Sequence, residues 1–279
     1  MKLVFFGYDF SLDIARRLLN DGHHILKIFS FETDNQYAFN NRLQELADIN
    51  QIPFSTEKVT PQDIKTLISA GCECFFSSGY LYRIPEIDEI CAYGINLHPT
   101  MLPIGRGPMV MPRLLLEHKD KCGLTIHKLA PEFDTGDILY QEALEMLPDE
   151  DIETLSARIA MRAPDLASMI LANLDTYWKN ATPQDEAESS YWPAHTDEDR
   201  TFNWEHSIEK ANQIINAFSR YGMLARFDEQ LWAVFLAKTW KEKHTHSPGA
   251  VVLRLSKEVV IALPDGYIIL KEYYPTGKS

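Results

Sequence analysis

The chain carries the run Gly94-Ile95-Asn96-Leu97-His98-Pro99, which decides the class of fold. Asn96 and His98 lie two residues apart in an apolar, strand-like context, so both polar side chains are expected on the same face of a sheet. Pro99 is expected to end the strand. Polar side chains at the carboxyl edge of such a strand lie where open α/β sheets bind ligands.

Strand-like and helix-like patterns alternate on both sides of this run. Strands are predicted at residues 3–6, 25–31, 52–55, 72–77, 94–98, 123–129 and 137–144. Helices are predicted at residues 11–20, 39–50, 61–70, 110–118 and 152–177. This alternation predicts an α/β fold, a Rossmann-like, mainly parallel sheet with helices on both faces.

A polar stretch at residues 181–190 is interpreted as a linker between a domain at 1–180 and a second domain at 191–279. Beyond it, residues 208–220 are predicted to be helical. Short strands are predicted at residues 226–227, 231–237, 250–255, 259–263 and 267–272. This order is typical of a small β-barrel with one helix.

Composition and charge narrow the class of function. The 279 residues are 45% hydrophobic and 24% charged, which is ordinary for a soluble protein with a substantial core. The net charge is −13, of which residues 180–279 contribute −3 and residues 1–179 contribute −10. A protein that grips a nucleic-acid backbone normally presents a basic face, so this balance argues against such a partner.

The remaining patterns indicate a cytoplasmic protein without a metal centre or a dinucleotide. The apolar start at residues 3–6 is too short for a signal-peptide core or a membrane span, and no membrane partner is expected. The four cysteines have neither zinc-type spacing nor the density of a disulfide scaffold. Gly7 stands without a glycine-rich loop, so NAD is not expected. His244 and His246 could bind a metal, but a polar loop is the favoured interpretation, and no metal is expected.

Asn96 and His98 are followed by three further motifs: Thr100-Met101-Leu102-Pro103, Arg106-Gly107 and Asp134-Thr135-Gly136-Asp137. The ordered set resembles the folate-dependent formyltransferases, which include methionyl-tRNA, glycinamide ribonucleotide and sugar-nucleotide N-formyltransferases. The resemblance implies 10-formyltetrahydrofolate as co-substrate and an OB-like C-terminal domain.

The motif residues match the needs of formyl transfer to an amine. An imidazole exchanges protons near neutral pH, and a neighbouring carboxylate favours its protonated form and orients it. We therefore assign His98 as general acid/base and oxyanion partner, Asp134 as its orienting carboxylate, and Asn96 as donor to the formyl oxygen. Taken singly, Asn96 could close a strand, His98 could be a core histidine, and Asp134 could belong to an ordinary turn.

The resemblance also implies a folate site built mainly from backbone groups of two loops. These loops map onto Tyr82, Arg83, Ile84, Ala130, Pro131, Glu132 and Phe133. Two ordinary surface loops are the alternative interpretation. Thr100 and Arg106 are candidate substrate contacts, with Arg106 as an anion anchor, whereas Pro108 stands where some relatives have a cationic residue.

The favoured function is N-formylation of a small amine, a nucleotide-linked amino sugar, because residues 29–35 and the C-terminal domain look similar to the formyltransferase part of aminoarabinose-modifying enzymes. Methionyl-tRNA formylation is the second candidate. The acidic C-terminal domain argues against it, since in that branch this domain helps to hold the tRNA. Formyltetrahydrofolate hydrolysis and a non-catalytic folate- or nucleotide-binding module are further alternatives. The sequence leaves open whether the chain forms a homodimer.

Overall fold

A seven-stranded sheet organises the first part of the chain in the computed structural model, which describes residues 1–276. Its strands are β1 Lys2–Gly7, β2 His24–Phe29, β3 Phe54–Ser55, β4 Cys74–Ser78, β5 Tyr93–Thr100, β6 Cys122–Lys128 and β7 Ile138–Ala143. The order across the sheet is β3-β2-β1-β4-β5-β6-β7. The first five strands in this order pair in parallel, and the β5–β6 and β6–β7 pairs are antiparallel.

Six helices connect or follow these strands: α1 Leu12–Asn20, α2 Asn41–Ile49, α3 Pro61–Ser69, α4 Val110–Leu116, α5 Ile152–Ala172 and α6 Leu174–Lys179. The predicted α/β, mainly parallel fold class is confirmed. The long helix predicted at residues 152–177 is wrong in one respect: Asn173 leaves the helical conformation, with φ −136° and ψ 34°, and separates α5 from α6.

Strand β5 forms the boundary between the parallel and antiparallel parts of the sheet. Its pairing with β4 ends at Ser78 and Leu97, while its pairing with β6 continues and places Asn96 opposite His127. The expectation that Pro99 ends the strand is wrong, because β5 runs on to Thr100. The pairing register with β6 shifts between His98 and Thr100, and such an irregularity accommodates a proline that has no N–H to donate.

The sheet is held by an apolar core in which aromatic rings dominate. The ring of Phe6 stacks on that of Phe29, with centroids 5.2 Å apart, and also contacts the rings of Phe75 and Tyr80. All four residues are buried. Burial of this kind, which removes apolar area from water, holds β1, β2 and β4 together.

The C-terminal part forms a five-stranded antiparallel sheet with one main helix. Its elements are α7 Ile208–Phe218, β8 Met223–Phe227, β9 Gln230–Lys241, β10 Val251–Arg254, β11 Val259–Leu263 and β12 Gly266–Pro275. The strand order is β10-β11-β12-β9-β8. A small β domain with one helix, as predicted, is therefore present.

The chain divides into two compact units. The first comprises residues 1–110, 120–145 and 156–193, and the second comprises residues 111–119, 146–155 and the chain from Ala194 onward. Residues 181–190, interpreted as a linker, thus lie in the first unit. The proposed boundaries at 180 and 191 stay predictions about separable domains.

Candidate active site

Strand β5 delivers Asn96 and His98 to one place. Asn96 Nδ2 lies 3.5 Å from Asp134 Oδ1, and His98 Nδ1 lies 3.6 Å from the same oxygen. Both side chains therefore lie on the same face of the strand, as the spacing predicts. The three residues assigned to catalysis meet around one carboxylate, although Asp134 is 38 residues beyond Asn96.

A backbone carbonyl sets the orientation of the His98 imidazole. Its Nε2–H donates to the carbonyl oxygen of Gly105 at 2.7 Å, which leaves the lone pair of the neutral ring on Nδ1. Nδ1 and Asp134 Oδ1, at 3.6 Å, are too far apart for a hydrogen bond in this state. Gly105 therefore orients the ring, whereas Asp134 acts on it through charge.

The position of the Asp134 carboxylate depends on left-handed backbone conformations at Asp134 and at Gly107. The φ of Asp134 is +58°, a region that aspartate tolerates better than most residues. Its Oδ2 accepts a hydrogen bond from the Gly107 N–H at 2.9 Å. Gly107 itself has φ +124°, and a Cβ there would lie 2.2 Å from the carbonyl oxygen of Trp192, so only glycine fits.

Burial and charge set the protonation states of this pair. Burial lowers the pKa of His98 below its ordinary value of 6.5, and the opposing charge of Asp134 does not outweigh it. The predicted effect of the carboxylate on the ring is present, but it is the smaller one. Burial alone would raise the pKa of Asp134, yet His98, His127 and the Gly107 N–H together hold that pKa well below its ordinary value. At neutral pH the site therefore contains a neutral imidazole beside a carboxylate anion.

A second histidine, His127, completes the arrangement and was missed by sequence reasoning. Asn96 Nδ2 donates to His127 Nε2 at 3.1 Å, while His127 Nδ1–H donates to the carbonyl oxygen of Lys128 at 2.7 Å. His127 Nε2 also lies 3.6 Å from Asp134 Oδ1. The available signal was its position in the strand predicted at 123–129, but the register between β5 and β6 was needed to place it opposite Asn96.

Thr100 and Arg106, the candidate substrate contacts, both have partners within the protein. Thr100 is fully buried, and its hydroxyl donates to the carbonyl oxygen of Ile104 at 2.8 Å. The side chain of Arg106 is only 8% exposed and donates to Gln184 and to both carboxylate oxygens of Glu186. Both residues therefore hold the turn between β5 and α4 in this conformation.

The two predicted folate loops meet. Arg83 forms an ion pair with Glu132, and its guanidinium lies 5.4 Å from the ring centre of Phe133. Tyr82 and Ile84 are partly buried against the aromatic core cluster described above. In the second loop Ala130 is partly buried and Pro131 is exposed.

A cleft of about 350 Å³ opens beside these loops. It is lined by Arg83, Glu132 and Phe133 from the folate loops, by Arg106 and Thr135, and by residues 189–191. The lining reaches Thr135, next to Asp134, but does not include Asn96 or His98. Phe133 is 42% exposed and Tyr191 is 60% exposed, so the cleft offers two aromatic rings to a ligand.

Other features of the described residues bear on cofactors and surroundings. Among residues 1–276, no cluster of three or more His, Cys, Asp or Glu side chains could hold a metal ion. Within the same range, the helices lack the length and apolar character needed to span a lipid bilayer.

Known families match both parts of the chain. Residues 27–171 match the formyl transferase family, and residues 195–279 match the formyl transferase C-terminal domain. The first match alone covers more than half of the sequence. The chain belongs to the formyl transferase family. The resemblance to folate-dependent formyltransferases and the predicted enzyme class are thereby confirmed.

Individual relatives of this formyl transferase extend over its whole length. The methionyl-tRNA formyltransferase of Rickettsia bellii is 24% identical over 289 residues, covering 100% of this chain and 93% of its own. Aquifex aeolicus HypX superposes with a TM-score of 0.75 at 16% identity, and this chain covers 46% of its length. An N-formyltransferase from Helicobacter canadensis, solved with folinic acid and dTDP-3-aminofucose, superposes with a TM-score of 0.64 at 16% identity, covering 98% and 99% of the two chains. The structural likenesses support the fold.

Proposed function

We propose that this formyl transferase moves a formyl group from 10-formyltetrahydrofolate to a primary amine of a nucleotide-linked amino sugar. The observation that carries the proposal is the convergence of Asn96 and His98 on Asp134, with polar atoms within 3.6 Å of its carboxylate. An amide donor, a neutral imidazole and a carboxylate are what acyl transfer to an amine requires.

Each residue has a defined step in the proposed reaction. The amine nitrogen attacks the formyl carbon, and Asn96 Nδ2 turns from Asp134 to donate to the oxyanion that forms. His98 Nδ1 accepts the proton that the amine loses, and Asp134 stabilises the resulting imidazolium at 3.6 Å. When the intermediate collapses, the C–N10 bond breaks and His98 returns the proton to N10 of the folate.

The folate donor is proposed to occupy the cleft beside Asp134. Arg83, Glu132 and Phe133, which belong to the two predicted folate loops, line this cleft. The exposed rings of Phe133 and Tyr191 suit the flat, conjugated parts of a folate, and Arg83 suits its carboxylate tail. The complex of the Helicobacter canadensis relative with folinic acid supports a folate as the formyl carrier.

The choice of acceptor is based on charge and on one structural relative. A net charge of −13, with neither half of the chain basic, disfavours a tRNA backbone. The Helicobacter canadensis enzyme was solved with an amino sugar linked to dTDP, and its length closely matches this chain. Methionyl-tRNA formylation remains the second candidate because the Rickettsia bellii enzyme is similar from end to end.

A substrate panel tests the proposal. Purified protein is incubated with 10-formyltetrahydrofolate and, separately, with amino-sugar nucleotides, charged initiator tRNA, or no amine, while tetrahydrofolate release is followed. Release that depends on an amino-sugar nucleotide is the expected result. Release only with charged tRNA would select the second candidate. Release without any amine would indicate a hydrolase, and no release in any mixture would indicate a non-catalytic binding module.

A further inference from the structure

A segment that follows α6 contacts two loops that carry groups of the active site, at residues 103–107 and 134–136. Residues 182–192, here called the bracing segment, begin with an exchange of backbone hydrogen bonds between Thr182 and Ile138, at 2.8 and 2.9 Å. Near its end, the Arg106 N–H donates to the Ser190 carbonyl oxygen at 2.9 Å, and the Trp192 N–H donates to the Arg106 carbonyl oxygen at 2.7 Å. The segment is therefore held by backbone bonds at both ends.

Gln184, in the middle of the bracing segment, uses its whole side-chain amide to join the two loops. Its Nε2 donates to the carbonyl oxygens of Asp134 and Gly136, both at 2.8 Å. Its Oε1 accepts from Arg106 Nε at 3.1 Å and from Arg106 Nη2 at 2.8 Å. One amide thus ties the Asp134 turn to the loop that carries Arg106.

The spacing of these loops determines the geometry of the catalytic groups. The loop at 103–107 supplies the Gly105 carbonyl that orients His98 and the Gly107 N–H that binds Asp134. The turn at 134–136 supplies the carboxylate itself. A shift of one loop against the other would lengthen the Gly107–Asp134 hydrogen bond and move the carboxylate relative to the imidazole.

The charges around Gln184 favour a neutral amide at this position. Glu186 already pairs with the buried guanidinium at 2.7 Å, and the Glu186 side chain is 69% exposed. Gln184 adds hydrogen bonds to Arg106 without bringing a second negative charge towards the buried, negatively charged Asp134. A glutamate at 184 would keep the acceptor for Arg106 but would face two carbonyl oxygens with a carboxylate.

We propose that Gln184 is a positioning residue for formyl transfer, acting through the Asp134 turn and the Gly105–Gly107 loop. The inference rests on the proposed function of Asn96, His98 and Asp134. It assigns to Gln184 a role in aligning the reacting groups rather than in binding either substrate.

Two substitutions and one control test this role. Gln184→Glu removes the two donors and keeps the acceptor, Gln184→Met removes both at similar length, and Glu188→Gln makes a carboxylate-to-amide change at an exposed position of the same segment. We expect kcat to fall by about 10–100-fold in both Gln184 variants, since sub-ångström alignment is lost, with KM values within about threefold of wild type. The control is expected to keep the wild-type kcat.

Amide hydrogen exchange provides a readout that does not depend on turnover. Exchange at the Gly107 N–H should accelerate by about tenfold in both Gln184 variants, while exchange in β1 and β4 and the thermal midpoint change little. Wild-type kcat or unchanged Gly107 exchange in the Gln184 variants would overturn the proposal. So would loss of folding in both variants, because Gln184 would then be a stability residue. Absence of formyl transfer in the wild-type protein would refute the proposed function, while the exchange result would still judge the link between the loops.

Discussion

At the scale of single residues, Asp134 is where the site is decided. Its side chain is 10% exposed, yet it carries a charge, and its two oxygens accept from the Asn96 amide and from the Gly107 N–H. Burying a carboxylate costs free energy unless each of its oxygens has a partner. The groups that position Asp134 are therefore also the groups that allow it to stay charged.

Removing the charge of Asp134 without changing its shape should slow catalysis strongly. We expect Asp134→Asn to lower turnover by at least ~10²-fold, because the imidazolium that forms on His98 loses its counter-charge.

The other two catalytic residues have predictions of their own. Asn96→Ala should lower turnover by ~10²–10³-fold through loss of an oxyanion donor, and His98→Ala should lower it by ~10²–10⁴-fold through loss of the proton acceptor. Steady-state rates of the folded variants provide the measurement.

The matched control is Asp137→Asn, at the other end of the same motif. The Asp137 carboxylate lies 3.2 Å from Lys128 Nζ and is 40% exposed, so its loss should change turnover little. Equal losses in Asp134→Asn and Asp137→Asn would contradict the role assigned to Asp134.

The protonation of His98 can be measured directly. Because burial lowers its pKa in the folded protein, the imidazole should titrate below 6.5 in an NMR pH series, with its signal assigned from a His98→Gln variant. The lowered pKa of His98 also makes the stability of the folded protein depend on pH. The unfolded chain takes up a proton at His98 before the folded chain does, so this residue's contribution to stability is lost as the pH falls from about 6.5 towards the folded pKa. A titration midpoint above 6.5 would show that Asp134, rather than burial, dominates.

At the scale of elements, the turn after β5 does the positioning. Gly105 and Gly107 both have positive φ and lie against Trp192, so the chain can present a carbonyl to His98 and an N–H to Asp134 from nearby positions. Strand β5 only brings this turn to the end of the sheet where its carboxyl terminus lies.

A pair of glycine substitutions separates backbone strain from steric conflict. Gly22 has φ +83°, and a Cβ added there would have no neighbouring atom within 4 Å, whereas a Cβ at Gly107 would meet the Trp192 carbonyl oxygen at 2.2 Å. Gly22→Ala should therefore lower the free energy of unfolding by ~1–2 kcal/mol, the cost of the left-handed region alone. Gly107→Ala should cost clearly more and should abolish activity. Chemical denaturation measures the free energy of unfolding of both variants. Equal losses would mean that the loop around Gly107 can shift to accommodate a Cβ.

At the scale of the whole molecule, charge separates the two candidate acceptors. The net charge of −13 should prevent stable contact with tRNA, so at ~0.15 M salt we expect binding weaker than ~100 µM in fluorescence anisotropy. An amino-sugar nucleotide carries little charge by comparison and should bind with a weak dependence on salt. Micromolar tRNA binding that weakens steeply with salt would instead reveal a local basic surface and favour the tRNA acceptor.

The sequence alone predicted the α/β sheet and the small C-terminal β domain, because hydrophobic periodicity is a local property of the chain. The formyl transferase class followed from the resemblance of the ordered motif set to a known family. It also predicted that Asn96 and His98 share a face, since a strand has a period of two. It missed that β5 continues through Pro99, since an irregular register with a neighbouring strand is not written in the residues of one strand.

Only the tertiary structure decided how the site is aligned. His127 reaches Asn96 through the register of two antiparallel strands, and Gly105, Gly107 and Gln184 act through backbone groups or across a long separation in sequence. The net effect on the pKa of His98 was likewise decided by folding, because burial and the charge of Asp134 act in opposite directions and only the packed geometry sets which is larger.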